Sequence, residues 1–221
     1  MNKKLDQAIV LKRVNYSESD RILTLLTKEH GKISVFAKSV RSQKSRLSGG
    51  IELLCVSDIS FIIGKTELKT LTGARLVSHF LNILKDMGKT AQAMEALKRI
   101  NGLTEEGSGQ EFFELLAVYL QYLDDEKYDQ NLVSAWFSLQ LLNRSGVLGE
   151  IKVTGGVDGK NYRFNYDLQG FESDEQGVLS QDDIKLVRLL VSSPKPVILQ
   201  DLNPATTVRT LSESLFDHYL G

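Results

Sequence analysis

Residues 32–50, KISVFAKSVRSQKSRLSGG, hold five cations (Lys32, Lys38, Arg41, Lys44 and Arg46) and no acid. Cations spread through a Ser- and Gly-containing segment suit a polyanion, because each can neutralise a phosphate and release counterions while the chain follows a backbone. Phe36 within the stretch and Tyr16 upstream offer rings on which bases could stack. Arg13 and Arg21 flank the polar cluster at 15–20 and widen the patch. The expected nucleic-acid-binding residues are therefore Arg13, Arg21, Lys32, Phe36, Lys38, Arg41, Lys44 and Arg46. A basic run also occurs as a plain solvated loop, so the surrounding chain has to be weighed.

The formal charge of the 221-residue chain is only -1, but it divides sharply. Residues 1–75 carry 14 Lys+Arg against 7 Asp+Glu, and residues 76–221 carry 13 against 21. The first part attracts anionic polymers; the second is better suited to meeting proteins. An apolar content of 42% is enough for a sizeable core. The single cysteine, Cys55, excludes an intramolecular disulfide and any multi-cysteine zinc site. The N-terminal run MNKKLDQAIVLKR, with charges on both sides of a very short apolar run, is neither a signal peptide nor a membrane span. A cytoplasmic protein is expected.

The elements that must hold the basic stretch read as short strands. Residues 7–14 are rich in aliphatic and β-branched side chains; the polar cluster at 15–20 turns the chain into a second strand, 21–27. Glu29-His30-Gly31 turns it again. In 32–38, Ile33, Val35 and Ala37 fall on one face and Ser34, Phe36 and Lys38 on the other. After the basic loop, Leu53, Cys55, Ile59, Phe61 and Ile63 keep the two-residue period, and Gly64-Lys65-Thr66 leads into a fifth strand, 67–74. Five strands in about seventy residues predict a small barrel of the OB type. An SH3-like barrel would read much the same.

Beyond Leu76 the period becomes helical. Thr90 is a candidate cap for a helix with Met94, Leu97 and Ile100, and a second helix starts near Gln110 with Phe112, Leu115, Leu116, Tyr119, Leu120 and Leu123 along one stripe. Leu132, Val133, Trp136, Phe137 and Leu141 mark a third. Residues 150–171 return to period two and read as an inserted hairpin closed by GGVDGK, with Ile151 and Val153 before the turn and Tyr162, Phe164 and Tyr166 after it. Ser180 with Asp183 forms a capping-box pattern, Pro194 and Pro196 stop that helix, and 205–220 is the last. The predicted fold is α+β and multidomain: an N-terminal five-stranded OB barrel at 1–78, then a helical bundle with an inserted hairpin at 79–221.

Enzymatic constellations are missing. GGVDGKN at 155–161 has the wrong spacing for a phosphate-binding loop. His30, His79 and His218 stand far apart, without HExxH or a neighbouring cysteine. Asp124-Asp125 and Asp182-Asp183 fall at helix ends, and Cys55 sits in an apolar strand. No catalytic residue, metal or cofactor is expected.

The N-terminal motifs resemble the start of the RecO family of bacterial DNA repair and recombination mediators. Glu18-Ser19-Asp20-Arg21 before a strand, Thr27-Lys28-Glu29-His30-Gly31-Lys32 at the second turn, and Lys44-Ser45-Arg46 in the basic loop match its pattern over about eighty residues. The resemblance implies an OB domain that binds single- and double-stranded DNA, followed by a helical domain. It also implies annealing of complementary strands without ATP, binding of the C-terminal tail of single-strand-binding protein, and work with RecR to load RecA, with nucleoid association during repair. Many relatives carry a four-cysteine zinc module where this chain has 150–171; those cysteines are absent, so zinc is not carried over. An acidic-hydrophobic tail would want an apolar groove rimmed by a cation such as Lys98, Arg99 or Arg144. Two other readings suit the same residues: an RNA-binding barrel of translation or RNA processing, and a scaffold acting through its helical face while the basic loop only solvates the barrel.

Overall fold

The chain is described from a computed structural model over residues 2–42, 45, 47–64, 68–148, 151–154, 161–197 and 203–220. Five strands, β1 (Asn2–Asn15), β2 (Arg21–Thr27), β3 (Gly31–Ala37), β4 (Cys55–Ile63) and β5 (Lys69–His79), close into a barrel in the order β1-β2-β3-β5-β4. Barrel closure explains the length of β1. Its first half, Asn2 to Ile9, pairs with β4, and its second half, Ala8 to Asn15, pairs with β2, so one strand bends around the corner between two neighbours. The core is filled by alternate residues, among them Ala8, Val10, Leu23, Leu25, Ile33, Val35, Ile59, Phe61 and Leu71. β3 follows the alternation expected of it, with Ile33, Val35 and Ala37 buried and Lys32, Ser34 and Phe36 partly open.

A bulge between Val10 and Lys12 leaves Leu11 as an extra residue on β1. It reverses the strand's facing. A strict two-residue period from Val10 would turn Lys12 inward, whereas the observed register pairs Lys12 with Thr24 and Arg13 with the buried Leu23. Lys12 is exposed, and Arg13 comes round to the inner side at the end of the barrel.

Three helices belong to the same compact unit, Met1–Asp124: α1 (Leu81–Lys85), α2 (Met87–Leu103) and α3 (Glu111–Asp124). Helix α2 starts earlier than the Thr90 cap expected from the sequence. Asp86 is its cap and accepts from the Lys89 amide, while the Thr90 hydroxyl donates to Ile83 O at 2.7 Å. The predicted stripe of α3 is buried in full, from Phe112 to Leu123. Ile9 and Leu26 face away from the barrel core yet are 0% exposed, because β1 packs against α2 and α3.

Asp125–Gly221 forms the second unit. It contains α4 (Gln130–Arg144), a three-stranded sheet, α5 (Gln181–Ser192) and α6 (Asn203–Leu220). Its sheet strands are β6 (Lys152–Thr154), β7 (Tyr162–Asn165) and β8 (Gly170–Ser173), in the order β6-β8-β7. An inserted hairpin is present, but its pairing differs from the sequence reading. β7 pairs with β8 across Tyr166–Gln169, with Phe164 opposite Phe171, and β6 joins β8 in parallel rather than pairing with β7. Gln169 supplies the left-handed corner at φ 47. GGVDGK at 155–160 and Glu150 lie outside the described residues.

The capping box Ser180–Asp183 opens α5, which ends before Pro194. Buried Gln140 of α4 meets its far end, donating through Nε2 to Leu190 O, Val191 O and Ser193 O at 2.8 to 2.9 Å. Leu190 O and Val191 O, in the last turn of α5, have no partner inside their own helix, so the amide shares its two N–H groups among these carbonyls where water is excluded. Trp136, 0% exposed, adds its indole N–H to Ser193 O at 3.0 Å.

Candidate nucleic-acid interface

Register places two rows of side chains on the outer surface of β1, β2 and β3. One runs Lys12–Thr24–Ser34; the other runs Val14–Ile22–Phe36 and continues to Thr70 on β5. Val14 is 45% exposed and Phe36 is half-buried, so the second row is an open apolar strip. Tyr16, 66% exposed, stands against its end, its ring edge-on to Phe36 with centroids 5.6 Å apart. Lys12, Val14 and Ile22 were not picked out from the sequence. Finding Lys12 required knowing the bulge; Val14 and Ile22 read simply as strand residues.

The loops at this end are tied together. Asp20 Oδ1 accepts from the Ser39 amide at 2.8 Å, with Ser39 in the left-handed region at φ 55, and Asp20 N–H donates to Ser17 Oγ. The Ser39 amide first, then the Ser17 hydroxyl, hold the Asp20 carboxyl below its ordinary range. Arg41 completes the junction: its amide donates to Ser19 O at 3.0 Å and its guanidinium to Ser17 O at 2.9 Å. A carbonyl partner leaves the guanidinium charge unneutralised. Lys38 and Arg41 are both exposed, Lys38 two residues beyond Phe36 and Arg41 bound to Ser17, the residue after Tyr16.

The other expected residues are placed differently. Arg13 and Arg21 share one acid, Glu52: Arg13 pairs with Oε2, and Arg21 lies 4.0 Å from Oε1 while donating to Asn15 Oδ1 at 3.2 Å. That cluster keeps a net positive charge of one. Lys32 is committed elsewhere, since its ammonium donates to Asn101 O at 2.9 Å and to Thr104 O, the end of α2. It acts as a cap on that helix, where a cation meets both the orphan carbonyls and the dipole. Lys44 and Arg46 lie outside the described residues.

Of the partner-site candidates, Lys98 and Arg99 are on α2 in the first unit, and both reach Glu95, at 3.7 and 3.2 Å. Arg144 closes α4 in the second unit. His30 holds a turn, its Nδ1 2.6 Å from Asp6 Oδ2, and Cys55 is buried, its thiol pushed up by that burial. One cysteine cannot furnish a four-cysteine zinc module, and no cluster of three or more His, Cys, Asp or Glu suited to a metal occurs among the described residues. Among these residues, no helix is long and apolar enough to cross a membrane.

A closed five-stranded barrel in the order 1-2-3-5-4, with an apolar strip across the outer face of its first three strands, defines an OB fold. Comparison with known proteins narrows the class. Residues 1–80 match the family described as recombination protein O N terminal. DNA repair protein RecO of Myxococcus xanthus strain DK1622 is 31% identical over 191 residues, 85% of this chain and 78% of that relative. DNA repair protein RecO of Dehalococcoides mccartyi strain CBDB1 is 38% identical over 147 residues, 66% of this chain. The chain belongs to the RecO family. It spans 57% of the length of that Dehalococcoides relative.

Proposed function

We propose that this chain is a non-enzymatic DNA-binding protein of recombinational repair, holding single- and double-stranded DNA on the outer face of β1, β2 and β3 and annealing complementary strands. One observation carries the reading: the exposed Arg41 is bound through its guanidinium to Ser17 O, the residue after Tyr16, whose ring meets Phe36 at the end of an open apolar strip, with exposed Lys38 two residues beyond Phe36. Cations take the phosphates and rings take the bases, a combination that is indifferent to sequence. Lys44 and Arg46, three and five residues beyond Arg41, extend the basic track, and the Arg13–Arg21–Glu52 cluster adds one net charge at its edge. We assign residues 1–78 as the binding module and 79–221 as the part that meets proteins.

Annealing on such a face needs no catalytic group. Neutralised phosphates let two strands approach, and contacts that ignore sequence let them slide into register. Family membership supports the wider assignments: the C-terminal tail of single-strand-binding protein and RecR as partners, loading of RecA as the downstream event, and a cytoplasmic, nucleoid-associated location. The cation we assign to the acidic tail is Lys98 or Arg99 of the first unit or Arg144 of the second; Lys98, with 81% of its side chain exposed, is more open than Arg99.

Strand annealing followed by fluorescence, with structured RNA as competitor, tests this reading. Purified protein should accelerate pairing of complementary DNA strands without ATP, and excess structured RNA should compete poorly. Preferential capture by RNA would move the assignment to the RNA-binding alternative, and no acceleration would favour the scaffold.

A further inference from the structure

The seam between β3 and β5 contains an anion supplied by the protein itself. The two strands pair only at Val35–Lys69 and Phe36–Thr70, so the amides of Lys32 and Ser34 face an incompletely paired edge. The loop between α2 and α3 lies along it. Lys32 N–H donates to Ser108 O, and Gly107 N–H donates to Lys32 O, both at 2.7 Å. Ser34 breaks the pattern: its amide donates to a side chain, Glu106 Oε1, at 3.1 Å, and its hydroxyl to Glu106 Oε2 at 3.3 Å. The Lys69 ammonium reaches the same carboxylate at 2.8 Å. A backbone amide and an ammonium on one carboxylate oxygen, with a hydroxyl on the other, form a donor set that suits two oxygens of a phosphate.

Exposure and position make the occupant replaceable. Glu106 keeps 43% of its side chain exposed and Lys69 keeps 16%, so water reaches the pair from the carboxylate side. Ser34 precedes Phe36 by two residues on the same side of β3, about 7 Å along the strand. The anion therefore adjoins the ring assigned to base stacking. Asp58 is the acid nearest in kind, but it pairs with Arg75 at another part of the barrel surface.

We propose that Glu106 sets the affinity of the nucleic-acid face by occupying a phosphate seat formed by Ser34 and Lys69, so that a backbone phosphate binds there only by displacing the carboxylate. This rests on the nucleic-acid reading above and adds a residue that weakens the grip. A weakened grip suits a protein whose work ends when paired strands leave it. Glu106→Gln keeps the shape and an acceptor oxygen while removing the charge.

Two measurements test the seat and its use separately. Inorganic phosphate is titrated into nitrogen-15-labelled native and Glu106→Gln protein while the Ser34 and Lys69 amide signals are followed. Glu106→Gln should show a saturable shift at Ser34 that native protein lacks, and adding Lys69→Gln should remove it. Glu106→Asp, which retains the charge, serves as the folding control and should behave as native. Equal responses in native and Glu106→Gln protein, or none in either, overturn the seat without reference to DNA. In salt-dependent anisotropy with labelled single-stranded DNA, Glu106→Gln should bind roughly fivefold tighter near about 0.1 M salt, with a log-log slope steeper by about 0.7. A phosphate response without tighter DNA binding overturns the proposed use. If neither protein binds DNA although phosphate still shifts Ser34, the nucleic-acid reading itself fails and the proposal falls with it.

Discussion

The two ends of β3 treat their cations in opposite ways. At its start, Lys32 caps the end of α2, so its charge is used inside the fold. Past its far end, the Arg41 guanidinium donates to Ser17 O, Lys38 stands exposed, and Tyr16, the residue before Ser17, forms an open ring pair with Phe36. Seven residues of strand separate a structural end from one suited to a ligand. Counting Lys and Arg along a sequence treats these positions as equal; what distinguishes them is that Lys32 is half-buried and held by two helix-end carbonyls, whereas Lys38 and Arg41 are exposed. An exposed charge remains available to a phosphate, whereas one half-buried against helix-end carbonyls first has to leave them.

The structural end should respond in stability. Gly31 sits at φ 66, and a Cβ there would lie 2.4 Å from Ser108 O, so Gly31→Ala combines strain with a clash against the loop that seals the seam. A loss of about 2–4 kcal/mol is expected in urea unfolding, and an unchanged midpoint would mean that the loop does not pack there. Lys32→Met should lose about 1–3 kcal/mol, the worth of hydrogen bonds to a charged group, while leaving the salt slope of DNA binding unaltered. A slope lower by about 0.7 would instead place Lys32 among the phosphate contacts.

The exposed end should respond in binding. Phe36→Ala should weaken single-stranded DNA by about 1–3 kcal/mol without changing the salt slope, since stacking involves no counterions; equal affinity would confine the ring to packing. The smallest effect concerns the loop junction. Asp20 is held below its ordinary value of 3.8, chiefly by the Ser39 amide, so its contribution is complete above that value and is lost as pH falls through the lower folded value. The Ser39 amide signal should stay constant down to about pH 4 and change only below it. A midpoint at higher pH would contradict the bond.

Much of the barrel was legible because β3 alternates strictly and its turns carry Gly31 and the polar cluster at 15–20. The bulge at Leu11 was not, since one extra residue in a strand leaves no mark in composition, and it decides that Lys12 faces out and Arg13 turns in. Nor was the role of Lys32, whose acceptors lie 69 and 72 residues further along the chain. Glu106 was invisible for the same reason: nothing near it in sequence announces Ser34 or Lys69. In the second unit the aromatic alternation of Tyr162 and Phe164 was correctly read as a strand, but choosing its neighbour required the corner at Gln169. Local pattern specifies elements, while the partner of a charge or a strand edge is set by closure of the fold.

Fluorescence anisotropy of labelled single-stranded DNA against salt concentration, comparing native protein with a variant carrying Lys38, Arg41, Lys44 and Arg46 as Glu, tests the central claim most directly. About four phosphate contacts predict a native log-log slope near -3. The account predicts that slope for the native chain and its loss in the variant, with thermal unfolding of the two alike. Native and variant proteins binding DNA with the same affinity and slope would contradict it.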